Sequence, residues 1–97
     1  MQVMADELGF DWDRANTEHV ASHDVTADEV AQVFTHTEVD IDYDVIGGEQ
    51  RWTVVGETDA ARVLVVVYTM REDLVRVVTA FAASSRMRDS YFAMKGR

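Results

Sequence analysis

The chain has 97 residues, a formal net charge of −9 and 47% hydrophobic residues. That is enough apolar material for one packed domain and too much for a disordered chain, and no apolar run approaches the ~18–20 residues of a membrane span. Cysteine is absent, which excludes disulfides, Cys-metal sites and thiol catalysis and fits a cytoplasmic protein. Proline is absent too, so no prolyl isomerisation slows folding. Met1 to Phe10 carries neither the basic nor the apolar region of a signal peptide. Charge is divided unevenly. Residues 1–60 hold 15 acids against Arg14 and Arg51, whereas residues 61–97 hold seven bases against Glu72, Asp73 and Asp89. So acidic a chain is a poor non-specific binder of nucleic acid, yet its basic last third suits an acidic ligand.

Asp11 or Asp13 N-caps a first helix over about Arg14 to Ser22, and Asp24 follows as a left-handed stop. Thr26 and Glu29 have the spacing of a capping box, and a second helix runs to about Phe34, with Val30, Val33 and Phe34 on one face. Val39, Ile41, Tyr43 and Val45 alternate with Asp40, Asp42 and Asp44, the period of a strand. Strict alternation places Glu38, Asp40, Asp42 and Asp44 on one face, either a solvated outer surface, a divalent-cation site, or a surface for a basic partner.

Gly47-Gly48 marks a hairpin, and Arg51 to Glu57 forms the second strand. Val63 to Tyr68 is continuously apolar, as in a central strand covered on both faces. A turn at Arg71-Glu72-Asp73 leads to a fourth strand from Leu74 to Phe81. In it Arg76 interrupts a face of Leu74, Val78 and Ala80, opposite Val75, Val77 and Phe81. Ser84 or Ser85 caps a last helix in which Met87, Tyr91 and Met94 are spaced i, i+4, i+7. The predicted class is α+β: two N-terminal helices, a four-stranded antiparallel meander and a C-terminal helix, in two layers, with the helices covering one face.

Several motifs together resemble the BrnT-type toxins. They are Phe10-Asp11-Trp12-Asp13, then Glu18-His19-Val20-Ala21-Ser22-His23 and Val25-Thr26-Ala27-Asp28-Glu29-Val30. Gly48-Glu49-Gln50-Arg51-Trp52, Val55-Gly56-Glu57-Thr58, the run Arg62 to Thr69 and Arg76-Val77-Val78-Thr79-Ala80 continue the likeness. It spans about residues 8–92, and the order and spacing of the motifs carry it. The resemblance implies a RelE-like fold, a metal-independent ribonuclease without cofactor, and a ribbon-helix-helix antitoxin as partner. Two positions depart from that pattern: Phe81 stands where the family usually carries Arg, and Met87 where it usually carries Glu.

Under this reading Arg71 and Arg76 clamp the scissile phosphate, a task that suits planar guanidinium. His23, Glu57 or Tyr91 move protons. Each has a plainer alternative. The arginines pair with surface carboxylates, His23 caps a helix C-terminus, Glu57 flanks a turn, and Tyr91 packs in the core. His19 and His23 share a helix face and read as acid–base groups, as half a metal site without an evident third ligand, or as packing and capping residues. Trp12 and Trp52 either stack on bases or anchor the core. The competing functional class is a catalytically degenerate relative that serves as a protein-interaction module, and a homodimer is open to either.

Overall fold

In a computed structural model, residues 9–96 are described. The reading of Met1 to Phe10 as free of a signal peptide lies, for its first eight residues, outside them.

Helix α1 spans Arg14–Ala21 and α2 spans Ala27–Thr35. Strands β1 (Val39–Ile46), β2 (Glu49–Glu57), β3 (Val63–Arg71) and β4 (Leu74–Ala82) follow, then helix α3 (Ser85–Met94). The sheet is an antiparallel meander in the order β1-β2-β3-β4. The expected α+β class and element order are thus observed.

Local chemistry sets the boundaries. Asp13 caps α1 by accepting from the Asn16 N–H at 2.9 Å, while the Asn16 side chain accepts from the Asp13 N–H at 2.7 Å. Thr26 and Glu29 form the expected reciprocal box on α2, and Ser84 caps α3. Asp24 is left-handed at φ 58° and ends the first helical turn region. Both residues of each tight hairpin have positive φ: Gly47 and Gly48 at 59° and 82°, Glu72 and Asp73 at 52° and 65°. That geometry matches the strand twist, and only the first hairpin meets it with glycine.

Three features depart from the sequence expectation. First, the helices do not all cover one face. Val20, Val25, Val30 and Val33 from the α1–α2 region bury against Val54, Leu64, Val66, Val75, Val77 and Ala80. Tyr91 of α3 instead packs with Val55, Val63 and Val65 on the far face. The apolar run in β3 requires this, because its odd and even residues face opposite ways and both sets need cover.

Second, a bulge at Ile41 shifts the β1–β2 register, so that Asp40 opposes Val54 but Asp42 opposes Thr53. Partners across a ladder share a face, so one extra residue moves Asp42 and Asp44 to the far face, away from Asp40. The four acids do not form one row. Consistently, Asp40 and Glu38 add to burial in raising the Tyr68 hydroxyl above its ordinary pKa.

Third, Val67 pairs with Thr79 while Tyr68 pairs with Val77, leaving Val78 as the extra residue in β4. Ala80 therefore joins Val75 and Val77 in the core, and Arg76 shares the far face with Thr79 and Phe81, whose partners are Thr69, Val67 and Val65.

The outer edge of β4 is not bare. Phe10 bridges Val75 in parallel, with the Asp11 N–H donating to the Val75 carbonyl and the Val75 N–H to the Gly9 carbonyl, both at 2.9 Å. α1 then runs along the same edge, tied by Asn16 Nδ2 to the Val77 carbonyl at 3.4 Å and to the Asp11 carbonyl at 3.2 Å.

Candidate active site: two arginines on one carboxylate

β3 and β4 meet at the Glu72-Asp73 hairpin, so Arg71 and Arg76 lie near one end of the sheet on the same face. The added segment at the β4 edge brings Asp11 to both. Arg76 Nη1 is 3.4 Å and Arg71 Nη1 is 3.8 Å from the same atom, Asp11 Oδ2. Arg76 Nη2 also donates to Asp13 Oδ2 at 2.8 Å. The two cations differ in freedom: the Arg76 side chain is 19% exposed and the Arg71 side chain 55%.

Asp13 therefore has two duties, capping α1 and holding Arg76. The Asn16 N–H and then the Arg76 guanidinium keep its carboxyl below the ordinary range, and the Asp13 bond in turn raises the Arg76 pKa. Both groups are charged at neutral pH. Two shallow clefts open here, of roughly 280 and 210 Å³, with Arg76 lining one, Arg71 the other, and Glu49 and Thr69 lining both. Arg51, the other cation at this end, donates to Glu49 at 2.8 Å.

Further along β4, His19 Nε2 lies 3.1 Å from Thr79 Oγ1. His23 stands edge-on to Phe81 with ring centroids 6.3 Å apart, and to His19 at 5.3 Å. A file of polar groups thus follows β4 along α1: Arg76, then Thr79 with His19, then His23 beside Phe81. His19 is the nearer of the two histidines to the arginines. Among the described residues no group of three or more His, Asp or Glu is placed to hold a metal ion.

Glu57 and Tyr91 stand elsewhere. The Tyr91 hydroxyl donates to Glu57 Oε1 at 3.1 Å, and both residues are buried, at 0% and 7% exposure for Tyr91 and Glu57. Glu57 ends β2 eight residues from Glu49, about 26 Å along the strand, so this pair does not reach the arginines. Trp52 stacks on Tyr68 at 5.7 Å, and Trp12 packs against the core beside Phe10 at 6.4 Å.

In the sequence Arg71, Arg76 and His23 stand out as site candidates, whereas Asp11 and Asp13 read as helix caps within a family motif and not as partners of Arg76. The signal for their second role was present: Phe10-Asp11-Trp12-Asp13 alternates apolar and acidic residues, the period of a strand. Thr79 as the partner of His19 carried no such signal, because only the packing of α1 on β4 brings them together.

No curated protein matches the chain. The family described as "Ribonuclease toxin, BrnT, of type II toxin-antitoxin system" matches residues 12–86, which include Asp13, His19, His23, Glu57, Arg71 and Arg76 and end before Tyr91. The chain belongs to this family of BrnT ribonuclease toxins of type II toxin–antitoxin systems.

Proposed function

We propose that this chain is a metal-independent endoribonuclease toxin acting in the cytoplasm as a single RelE-like domain, and that a ribbon-helix-helix antitoxin neutralises it. One observation carries the site assignment: Arg71 and Arg76, from different strands, converge on a single anionic oxygen, Asp11 Oδ2. An RNA phosphate oxygen brought to that place meets the same two guanidinium groups. In the reaction the RNA 2′-hydroxyl attacks the adjacent phosphorus, the P–O5′ bond breaks, and a 2′,3′-cyclic phosphate and a 5′-hydroxyl result. Arg71 and Arg76 balance the added negative charge of the phosphorane, the state in which fixed cations are most valuable. His19, the histidine nearer the arginines, takes the 2′-hydroxyl proton and returns one to O5′, with His23 edge-on behind it. Glu57 and Tyr91 fasten α3 to the sheet instead of exchanging protons with RNA, as their burial supports.

The test is cleavage of a mixed single-stranded RNA by purified protein in EDTA, beside Arg76→Ala. Cleavage that persists in EDTA and disappears in the variant is expected. Metal-dependent cleavage, or equal cleavage by the variant, refutes the reading.

The second reading, a degenerate family member serving as an interaction module, has its own observation. Arg76 is already held by two carboxylates, and Phe81 occupies the position where the family resemblance calls for arginine. No cleavage at any protein concentration favours it. An adjacent reading frame for a small ribbon-helix-helix protein favours the toxin.

A further inference from the structure

Half of the exposed large hydrophobic residues among those described lie on one strand: Ile41, Tyr43, Val45 and Ile46 of β1, at 36–52% exposure. β1 is an edge strand of eight residues, and no strand pairs with its outer side among the described residues. Long apolar edges of this kind invite another chain, and proteins ordinarily shorten or cover them.

The backbone of this edge has a definite state. In the two-residue hairpin at Gly47-Gly48, Ile46 and Glu49 exchange hydrogen bonds, so alternate residues Tyr43 and Val45 direct their N–H and C=O groups outward. Both outward N–H groups are taken by the preceding carboxylate. The Tyr43 N–H donates to Asp42 Oδ1 at 2.9 Å and the Val45 N–H to Asp44 Oδ1 at 2.8 Å. A neutral or acidic strand arriving here meets blocked donors and like charge. A strand bearing Lys or Arg draws the carboxylates outward, frees the two N–H groups and completes the ladder.

We propose that the outer edge of β1 binds an extended protein segment with Lys or Arg at alternate positions, which adds to the sheet as a strand. The occupant follows from charge. Asp40, Asp42 and Asp44 line the strand, and the one cation opposite, Arg51 across from Asp44, is already engaged by Glu49. A second copy of the chain would set aspartates against aspartates along the same edge, so self-pairing through β1 is disfavoured. The surface lies on the opposite edge of the sheet from the Arg76 site, and the proposal does not depend on ribonuclease activity.

The test titrates the full chain with a strand-length peptide carrying Lys at every second position and Val or Thr between, beside its Glu counterpart. Amide hydrogen exchange is followed by NMR. The Lys peptide is expected to protect the Tyr43 and Val45 amides and the Glu peptide to leave them unchanged. The double variant Asp42→Asn, Asp44→Asn keeps an acceptor for each N–H but no charge, and should bind the Lys peptide about tenfold or more weakly. Its circular dichroism melt serves as the control for folding. Three results overturn the proposal. They are no protection of these amides by the Lys peptide, equal binding by the charge-free variant, and protection that rises with the protein's own concentration without peptide, which makes a second copy the occupant.

Discussion

Replacing Arg76 and Arg71 by alanine, one at a time, separates the catalytic argument from a structural one. Arg76 is 19% exposed and donates to Asp13 at 2.8 Å and Asp11 at 3.4 Å. Hydrogen bonds between charged groups contribute about 1.5–3 kcal/mol when buried, and partial solvent access lowers this, so Arg76→Ala should cost about 1–2 kcal/mol. A small domain with about 5 kcal/mol of stability then keeps about 3 kcal/mol and stays about 99% folded. Arg71 is 55% exposed and 3.8 Å from its partner, and its removal should cost about 0.5 kcal/mol or less. The expected losses of kcat/KM are far larger: about 10²–10³-fold for Arg76, by analogy with removing one fixed donor from a charged transition state, and about 10–10²-fold for the more solvated Arg71. Initial rates on a fluorescent single-stranded RNA, with a denaturant curve for each variant, measure both quantities. Activity of both variants within twofold of the parent refutes the phosphate-clamp argument. A rate loss matched by an equal loss of folded protein refutes its catalytic part.

Three more predictions follow from particular contacts. A methyl group at Gly56 would lie 2.7 Å from Val33 Cγ1 and 3.2 Å from the Val33 carbonyl oxygen, so Gly56→Ala should destabilise the chain by about 1–3 kcal/mol, read from the urea midpoint. An unchanged midpoint would mean that α2 does not sit that close to β2. Phe81 is 39% exposed and shares the Arg76 face, so Phe81→Arg should leave the melting temperature nearly unchanged and raise RNA cleavage about tenfold. Equal or lower cleavage would deny this position a part in the reaction. Finally, Asp13 is held below its ordinary pKa of 3.8, so its contribution to stability is complete above about pH 4 and is lost as pH falls through the lower folded value. Asp13→Asn, which still caps α1, should flatten the stability profile below about pH 4. A profile identical to the parent's would show that Asp13 is not linked to folding.

Much of the fold was readable from local pattern. The capping box at Thr26 and Glu29, the glycine hairpin, the alternation in β1 and the apolar run of β3 each follow from interactions within a few residues, and these the chain determines alone. Even the far-face cover over β3 was implicit in Val63 to Val66, since a strand buried on both sides needs two layers. What tertiary structure decided was every relation that depends on a count across strands. One extra residue at Ile41 separates Asp40 from Asp42, and one at Val78 turns Ala80 inward with Val75 and Val77. Bulges of this kind leave no mark on hydrophobic periodicity, because they are set by how the ladder fits its neighbours.

The site shows the same division. Arg71 and Arg76 were legible as cations in a largely apolar hairpin, where a charge needs a partner or solvent. Their convergence on Asp11 was not, because the partner lies 65 residues from Arg76 in the chain and arrives only when the segment before α1 pairs with the β4 edge. The separation of Glu57 and Tyr91 from the arginines is likewise a matter of strand length: residue types suited to proton transfer are common, and only the sheet sets which of them lie near Arg71 and Arg76.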